Sequence, residues 1–284
     1  MSEYYITDYR ETHSHISQIG NNKAFRTGLV AFNLQETIYH QLEQRSNVYV
    51  AQLDIKGAFD AVWIDGLFYK LQQLGINKRI YRVLRNSYYG LITIVRVGSD
   101  TSRPIDVKRS VGQCGVLSRF LCLVFINDIV NNLEVSGHGA CVRSTTCGNP
   151  TLADDITLVA TSPCALQNIL DIVYAYDARF KFEKGIEKSC CKTFCHRRLH
   201  LPLQVHLGNN ILKKAESVMH LGIVLTYDME VNERVKAQCQ MGKQSFHSLL
   251  GYGDHPTCLT LTSLYRKITM PSILYGSELW YICH

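Results

Sequence analysis

The sequence predicts an α+β fold in which helices pack on one face of a mostly antiparallel sheet. Three observations lead to this class. The 284 residues are 46% apolar, which is enough to bury a core. Segments with apolar residues at helical spacing alternate with short segments rich in β-branched and aromatic residues. Their order is helix, strand, helix, hairpin, helix, strand, strand and helix, with no repeat or long linker between them.

The first half of the chain contains a predicted unit of strand, aspartate and helix. Residues 25–46 carry apolar side chains at roughly helical spacing and end in polar residues, so they predict an amphipathic helix. The segment VYVAQLDI predicts a buried strand that ends at Asp54. From GAFDAVW onward, apolar positions recur at spacings of three and four, which predicts one helix ended by Gly75. A short basic helix over 77–87 and a hairpin around 98–102 follow.

The second half continues with longer elements. The segment GQCGVLSRFLCLVFINDIVNNLE predicts a turn followed by a long apolar helix. GACVRSTTC and TLADDITLVA predict two strands, with the acidic pair at the start of the second strand or in the bend before it. A helix is predicted for CALQNILDIVYAYDARF, started by Ser162 and Pro163, and a late strand for HLGIVL. Helices with a turn at GYGDHPT fill about 230–280.

Net charge bears on the partner class. Lys and Arg number 30 against 24 Asp and Glu, which gives +6 and favours a polyanionic partner without requiring one. The polar side of the helix over 77–87 is either a solvated basic face or a phosphate contact. Its basic residues are Lys78, Arg79, Arg82 and Arg85.

Eleven cysteines without a C-x-x-C pair indicate neither a disulfide framework nor a zinc ribbon, so we expect an intracellular, reducing compartment. Cys190, Cys191, Cys195 and His196 could form a metal site. Because adjacent cysteines on a strand point to opposite faces, the pattern favours buried thiols. No secretory signal is evident, and the longest apolar run contains Asp128, so we expect no membrane association.

Three aspartates lie at or near predicted strand ends: Asp54, Asp154 and Asp155. The adjacent pair could be solvated turn residues, because Asp favours turns. Asp54, however, ends a strand predicted to be buried, where a charge without a cation or donor is costly. Carboxylates gathered at the strand ends of one sheet suit Mg²⁺, which takes oxygen ligands.

Several motifs in the chain resemble, in order, those of reverse transcriptases of the non-LTR retrotransposon (LINE-like) type. LDIKGAFDAVW resembles the first catalytic motif. VGQCGVLSRFLCLVFINDIV resembles the glutamine-glycine and leucine-serine-proline motif, and LADD the tyrosine-alanine-aspartate-aspartate box. KFEKGIEKS, HLGI and LYRKITMPSILYGSELW resemble the lysine-bearing segment, the primer-gripping turn and a stretch after the palm. The similarity extends over about residues 18–280.

This resemblance implies a right-hand polymerase palm built on a ferredoxin-like antiparallel sheet, with partial fingers and the start of a thumb. It assigns 1–46 to the partial fingers, 47–200 to the palm with the catalytic carboxylates, and 201–284 to the primer-grip hairpin and the connection toward the thumb. The family's fingers are longer than the roughly 45 residues found before the first strand. We therefore expect the missing fingers and other polyprotein domains as partners.

The resemblance also implies an RNA-directed DNA polymerase that uses an RNA template, a DNA primer and deoxynucleoside triphosphates. Asp54, Asp154 and Asp155 would be the catalytic carboxylates. With the backbone carbonyl of Ile55 they would hold two Mg²⁺ ions, for which Mn²⁺ is a possible substitute.

Further roles are implied for residues that contact the substrates. Phe59 would block the sugar 2′ hydroxyl, although a core aromatic on an amphipathic helix is the alternative. Gln113 would lie against the nucleotide, and Lys188, or Lys192 in its place, would approach the phosphates. The primer grip would consist of His220, Leu221 and Gly222.

The match departs from the family at four positions. Cys114 replaces a glycine, Arg119 a proline, Leu152 an aromatic residue and Gly185 an asparagine. None of these changes removes a metal ligand. The alternative function is an inactive retroelement remnant that keeps the palm fold and at most binds nucleic acid. Another two-metal phosphoryl-transfer enzyme is disfavoured by the polymerase order of the motifs.

Overall fold

The structure is a computed structural model and describes residues 27–112, 115–143, 145–151, 155–182, 184–195, 203–225, 231–250 and 257–279. The chain divides into two compact units, Met1–Lys214 and Ala215–His284. None of the helices in these described ranges is long and apolar enough to cross a membrane.

Helices and short strands alternate in the first unit, broadly in the predicted order. They are α1 (Thr27–Glu43), β1 (Val48–Leu53), α2 (Ala58–Ala61), α3 (Ile64–Gln73), α4 (Lys78–Tyr88), β2 (Ile92–Thr93), β3 (Arg96–Val97), β4 (Asp100–Thr101), β5 (Ile105–Asp106), α5 (Ser118–Val135), β6 (Cys141–Val142), β7 (Thr145–Thr146), β8 (Ile156–Ala160), α6 (Pro163–Phe180), β9 (Cys190–Phe194), β10 (His206–Leu207), β11 (Asn210–Ile211) and β12 (Lys213–Lys214).

A four-stranded sheet in the order β12-β9-β1-β8 forms the centre of this unit. Strand β1 pairs antiparallel with β8, where Leu53 lies opposite Ile156, and antiparallel with β9, where Gln52 lies opposite Cys190. Strand β12 joins β9 in parallel. The predicted mostly antiparallel sheet is therefore present, and β1 lies inside it with a partner on each side.

Different helices cover the two faces of the sheet. Tyr49, Ala51 and Leu53 of β1 belong to the main core, to which α5 and α6 contribute most of their buried side chains. Val48 and Val50 alternate with them, are fully buried and lie outside that core. Helix α1 contacts β1, so we infer that it covers the start of this second face. The predicted placement of helices on one face thus holds for α5 and α6 but not for α1.

The single helix predicted to end at Gly75 is two helices, α2 and α3. Val62 and Trp63 have extended backbones between them, with ψ of 112° and 117°. Trp63 forms a β-bridge with Arg109, so pairing with a distant segment replaces the helical hydrogen bonds at this point. The spacing of apolar residues continues across the break, and for that reason periodicity could not reveal it.

The predicted hairpin around 98–102 consists of two short ladders, β2 with β5 and β3 with β4. Every residue from 90 to 106 is exposed. The predicted strand in GACVRSTTC is a separate hairpin of β6 and β7, whereas TLADDITLVA contributes β8 to the central sheet.

A buried lysine joins three helices of the first unit. Lys70 of α3 is 3% exposed, and its Nζ lies 2.9 Å from Oδ2 of Asp128 on α5. The same Nζ donates hydrogen bonds to the carbonyl of Phe125 and to the hydroxyl of Tyr176 on α6, and lies 3.9 Å from the centre of the Phe180 ring. Burial lowers the pKa of Lys70 to about 8, although Asp128 opposes the shift.

The second unit contains a hairpin followed by helices. Its elements are β13 (Val218–His220), β14 (Ile223–Leu225), α7 (Val231–Leu250), α8 (Cys258–Leu264), a π-helical turn (Tyr265–Thr269), α9 (Met270–Leu274) and a 3₁₀ turn (Ser277–Leu279). The predicted late strand HLGIVL therefore comprises the last residue of β13, the two-residue turn and β14. Residues 203–214, which the resemblance groups with the primer grip, lie in the first unit.

Candidate active site

Two of the three predicted catalytic aspartates lie at one end of the paired strands β1 and β8. Asp54 follows Leu53, the last residue of β1, and Asp155 precedes Ile156, the first residue of β8. Leu53 and Ile156 are the last partners of this antiparallel ladder, so Asp54 and Asp155 directly flank one pair at the same end of the sheet. Both are half-buried. Asp154 lies outside the described residues.

The donor atoms at this strand end suit a cation of the magnesium type, because carboxylate oxygens are its preferred protein ligands. Within the described residues, no group of three or more His, Cys, Asp or Glu side chains could hold a metal ion. Asp54 and Asp155 supply two carboxylates, and Asp154 would supply the third. Ile55, whose carbonyl is the further predicted ligand, is 5% exposed and forms a β-bridge with Lys184.

A tight turn over residues 185–189 packs against Asp54. The backbone N–H of Gly185 donates to the carbonyl of Asp54 at 2.9 Å. The backbone N–H of Asp54 donates to Oγ of Ser189 at 3.2 Å, and this hydroxyl donates to the carbonyl of Gly185 at 3.0 Å. The turn is therefore hydrogen-bonded to both backbone polar groups of Asp54, the N–H and the carbonyl.

A buried ion pair holds the start of this turn to α6. Nζ of Lys184 lies 3.1 Å from Oδ1 of Asp177, and the two side chains are 2% and 9% exposed. Burial raises the pKa of Asp177 to about 6 and lowers the pKa of Lys184, and the attraction between the two charges opposes both shifts. The pair fixes the turn relative to the main core.

The two lysines considered for the nucleotide phosphates occupy different environments. Lys188 is exposed on the turn, and its backbone N–H donates to the carbonyl of Gly185 at 3.0 Å. Lys192 is 3% exposed in β9, where it lies opposite Val50, and its Nζ lies 5.3 Å from the centre of the Phe194 ring. Of the two lysines, Lys188 is exposed to solvent and directly precedes Ser189, which contacts Asp54.

Phe59 lies on α2, five residues after Asp54, and is half-buried against the main core. Its carbonyl accepts a hydrogen bond from the backbone N–H of Val111 at 3.0 Å. The carbonyl of Val111 in turn accepts from Oγ of Ser118 at 2.7 Å and from the hydroxyl of Tyr88 at 3.1 Å. These bonds tie the segment just before Gln113 to α2, whereas Gln113 itself lies outside the described residues.

The predicted primer-grip residues form the turn of the hairpin in the second unit. Leu221 and Gly222 both have positive φ, 52° and 76°. Positive φ at both central residues is typical of the two-residue hairpin turn whose twist matches that of the strands. The hydroxyl of Tyr275 donates to the carbonyl of Leu221 at 2.7 Å. His220 is fully buried, and burial lowers its pKa to about 4, so its imidazole is neutral at pH 7.

A sequence profile of the family described as reverse transcriptase (RNA-dependent DNA polymerase) matches residues 4–225. The chain belongs to this family. The motif resemblance to reverse transcriptases is thereby confirmed.

Reverse transcriptases of mobile elements are among its similar proteins. It is 26% identical over 282 residues to the probable RNA-directed DNA polymerase from transposon BS of Drosophila melanogaster, covering 96% of this chain and 29% of that protein. It is 23% identical over 252 residues to the RNA-directed DNA polymerase from mobile element jockey of Drosophila funebris, covering 84% of this chain and 26% of that protein. The chain thus spans less than a third of the length of these relatives.

Solved structures with the same fold include two structures of telomerase from Candida tropicalis. The complex with a TWJ fragment of telomeric RNA has a TM-score of 0.59 at 11% identity, covering 98% of this chain and 45% of that one. The apo enzyme has a TM-score of 0.56 at 11% identity, covering 98% of this chain and 49% of that one. These similarities show that the reverse transcriptase chain has a mixed helix and sheet fold in common with telomerase.

Sequence reasoning did not single out Ser189 or Asp177, although both determine how the segment after α6 meets Asp54. Ser189 is 1% exposed, and the signal available for it was its position directly after Lys188 in the lysine-bearing motif. Asp177 carried no motif signal, because its partner is recognised only in the folded chain.

The cysteine cluster contains buried thiols. Cys191 and Cys195 are buried, Cys190 is half-buried, and burial raises the pKa of Cys191 to about 11. Such a thiol is protonated at pH 7, which disfavours metal ligation. His196 lies outside the described residues. All nine cysteines within the described ranges are free.

Proposed function

We propose that this chain contains the palm of a reverse transcriptase that extends a DNA primer along an RNA template. The observation that carries the proposal is that Asp54 and Asp155 directly flank the last pair of the β1–β8 ladder in a chain of this family. The proposal retains 47–200 as palm, with partial fingers before it and the primer-grip hairpin after it.

In this proposal Asp54, Asp154 and Asp155, with the carbonyl of Ile55, hold two Mg²⁺ ions. When bound, the ions lower the pKa of the primer 3′ hydroxyl and neutralise charge on the triphosphate and its leaving pyrophosphate. The chain supplies the position of the ligands. Because β1 is paired on both sides, the backbone that carries Asp54 has little freedom to move.

Side chains on three segments near Asp54 would contact the incoming deoxynucleotide. Phe59 would exclude a 2′ hydroxyl, Gln113 would lie against the nucleotide, and Lys188 would approach the phosphates. The hydrogen bond from Val111 to Phe59 supports the first two roles, since it brings the segment before Gln113 to α2. His220, Leu221 and Gly222 would contact the primer.

Primer extension tests this function. The assay contains purified protein, a primed RNA template, deoxynucleotides and Mg²⁺. It compares the unmodified chain with a completed chain, which carries Cys114→Gly and a longer fingers region joined before the palm. We expect the completed chain to extend the primer better than the unmodified chain. A longer fingers region adds contacts to the nucleotide and template, and glycine at residue 114 lets the backbone approach them more closely.

Asp54→Asn and Asp154→Ala should each abolish extension by the completed chain. Asp100→Asn in the exposed strand β4 is the matched control and should leave extension unchanged. A completed chain that is folded and binds template but extends nothing corresponds to the inactive remnant, and our proposal would then be wrong.

A further inference from the structure

The contacts between the turn over 185–189 and Asp54 form a closed ring of three hydrogen bonds. The N–H of Gly185 reaches the carbonyl of Asp54 at 2.9 Å, the hydroxyl of Ser189 reaches the carbonyl of Gly185 at 3.0 Å, and the N–H of Asp54 reaches Oγ of Ser189 at 3.2 Å. Each member of the ring both donates and accepts. Ser189 is 1% exposed, so water cannot readily replace its hydroxyl.

Gly185, where the resemblance places an asparagine, provides space beside Asp54 in this chain and is not needed for its backbone conformation. Its φ is not among the positive values, so an alanine could adopt this backbone. A Cβ built on Gly185 would, however, lie 2.6 Å from Oδ2 of Asp54 and 3.5 Å from its Cγ. In this chain the carboxylate of Asp54 therefore occupies the volume that a Cβ at residue 185 would need.

We propose that Gly185 and Ser189 are positioning residues for the carboxylate of Asp54. The inference rests on the proposed function, in which Asp54 is a metal ligand. Ser189 holds the backbone of Asp54 through the hydrogen-bonded ring, and Gly185 leaves free the space that the carboxylate occupies. An aspartate has only two side-chain torsions, so a fixed backbone and one bounded volume restrict where its oxygens lie.

This restriction matters for the ion that the site would take. Mg²⁺ demands near-ideal octahedral geometry, so a displaced carboxylate binds it more weakly. Residues that orient metal ligands typically change metal affinity about 10- to 100-fold when mutated. The ion pair of Lys184 and Asp177 holds the turn on α6, so the turn is a firm support for Asp54.

Mn²⁺ binding to the full chain, followed by electron paramagnetic resonance without nucleic acid, tests the proposal apart from activity. Gly185→Ala should raise the Kd for Mn²⁺ about 10-fold or more, because the new methyl group displaces the carboxylate. Ser189→Ala should also raise it, whereas Ser189→Thr, which keeps the hydroxyl, should stay close to the unmodified chain. Circular dichroism establishes that each variant is folded.

Gly66→Ala is the matched control, since its Cβ would lie 2.5 Å from Cε3 of Trp63 and not near Asp54. It should lower thermal stability without changing the Kd for Mn²⁺. Should Gly185→Ala fail to fold, the comparison of Ser189→Ala with Ser189→Thr still decides the matter.

Asp54→Asn separates the two levels of inference. If it weakens Mn²⁺ binding while folded Gly185→Ala and Ser189→Ala do not, the positioning role is overturned and the proposed function stands. If Asp54→Asn leaves the Kd unchanged, Asp54 is not a ligand, and both proposals are overturned. Weakening by all three, with Ser189→Thr and Gly66→Ala unchanged, supports the positioning role.

Discussion

Replacing Lys70 by Met should change the pH dependence of stability. Lys70 is 3% exposed, and burial lowers its pKa from 10.5 to about 8. Met has a similar length and no charge, so the substitution removes the cost of burying an ammonium group. Asp128, which loses its partner, has a side chain that is 42% exposed and can be solvated by water.

The sign and size of this pH dependence of stability follow from proton linkage. Between pH 8 and 10.5 the unfolded chain still binds the Lys70 proton and the folded chain does not, so the free energy of unfolding increases with pH. At 1.36 kcal/mol per pH unit the full difference is about 3 kcal/mol. About 2 kcal/mol of it should be observed between about pH 7.5 and 9.5. In Lys70→Met this increase should be absent.

Urea unfolding at several pH values measures the effect. Trp63 reports on the first unit when Trp280 is replaced by Phe in every variant, and comparing variants at each pH cancels the other titrating groups. Lys78→Met, at an exposed lysine, is the matched control and should follow the unmodified chain. Parallel pH curves for the unmodified chain and Lys70→Met would refute the reasoning.

Three further outcomes are expected. Phe59→Val should increase ribonucleotide use relative to deoxynucleotide use in an active chain, because the barrier to the 2′ hydroxyl is smaller; unchanged selectivity would make Phe59 a core residue only. Replacing Arg79 and Arg82 by Gln should reduce the slope of log K against log salt for primed RNA by about 2, and an unchanged slope would indicate a solvated basic face. Alkylation of Cys191 at pH 8 should be far slower than that of exposed Cys258, with or without a zinc chelator, whereas acceleration by the chelator would indicate a metal site.

Local patterns along the chain were sufficient to predict much of the fold. The strand before Asp54 was predicted because β-branched and aromatic residues cluster there, and β1 indeed covers Val48–Leu53. The helix after Ser162 was predicted from its capping residue and proline, and the side chain of Ser162 accepts a hydrogen bond from the N–H of Ala165. The signals that predicted these elements lie within or next to the elements themselves.

Features that depend on distant residues were not predictable in the same way. The break between α2 and α3 results from pairing of Trp63 with Arg109. Burial of Lys70 depends on helices more than 50 residues later, and a lysine within a helical pattern is ordinarily assigned to the solvated side. The candidate site was partly accessible, since motif order indicated the aspartates but not the role of Ser189.

The central position of β1 has a consequence for how the chain folds during synthesis. Both of its partner strands, β8 and β9, come about a hundred residues or more later in the chain. Pairings of such long sequence separation are slow to form, because a large loop must close before they gain any stability. During synthesis on the ribosome, both edges of β1 stay unpaired until β8 and β9 emerge, and in that time β1 is exposed to aggregation or to chaperone binding. Asp54 acquires its full surroundings only after β9 has left the exit tunnel.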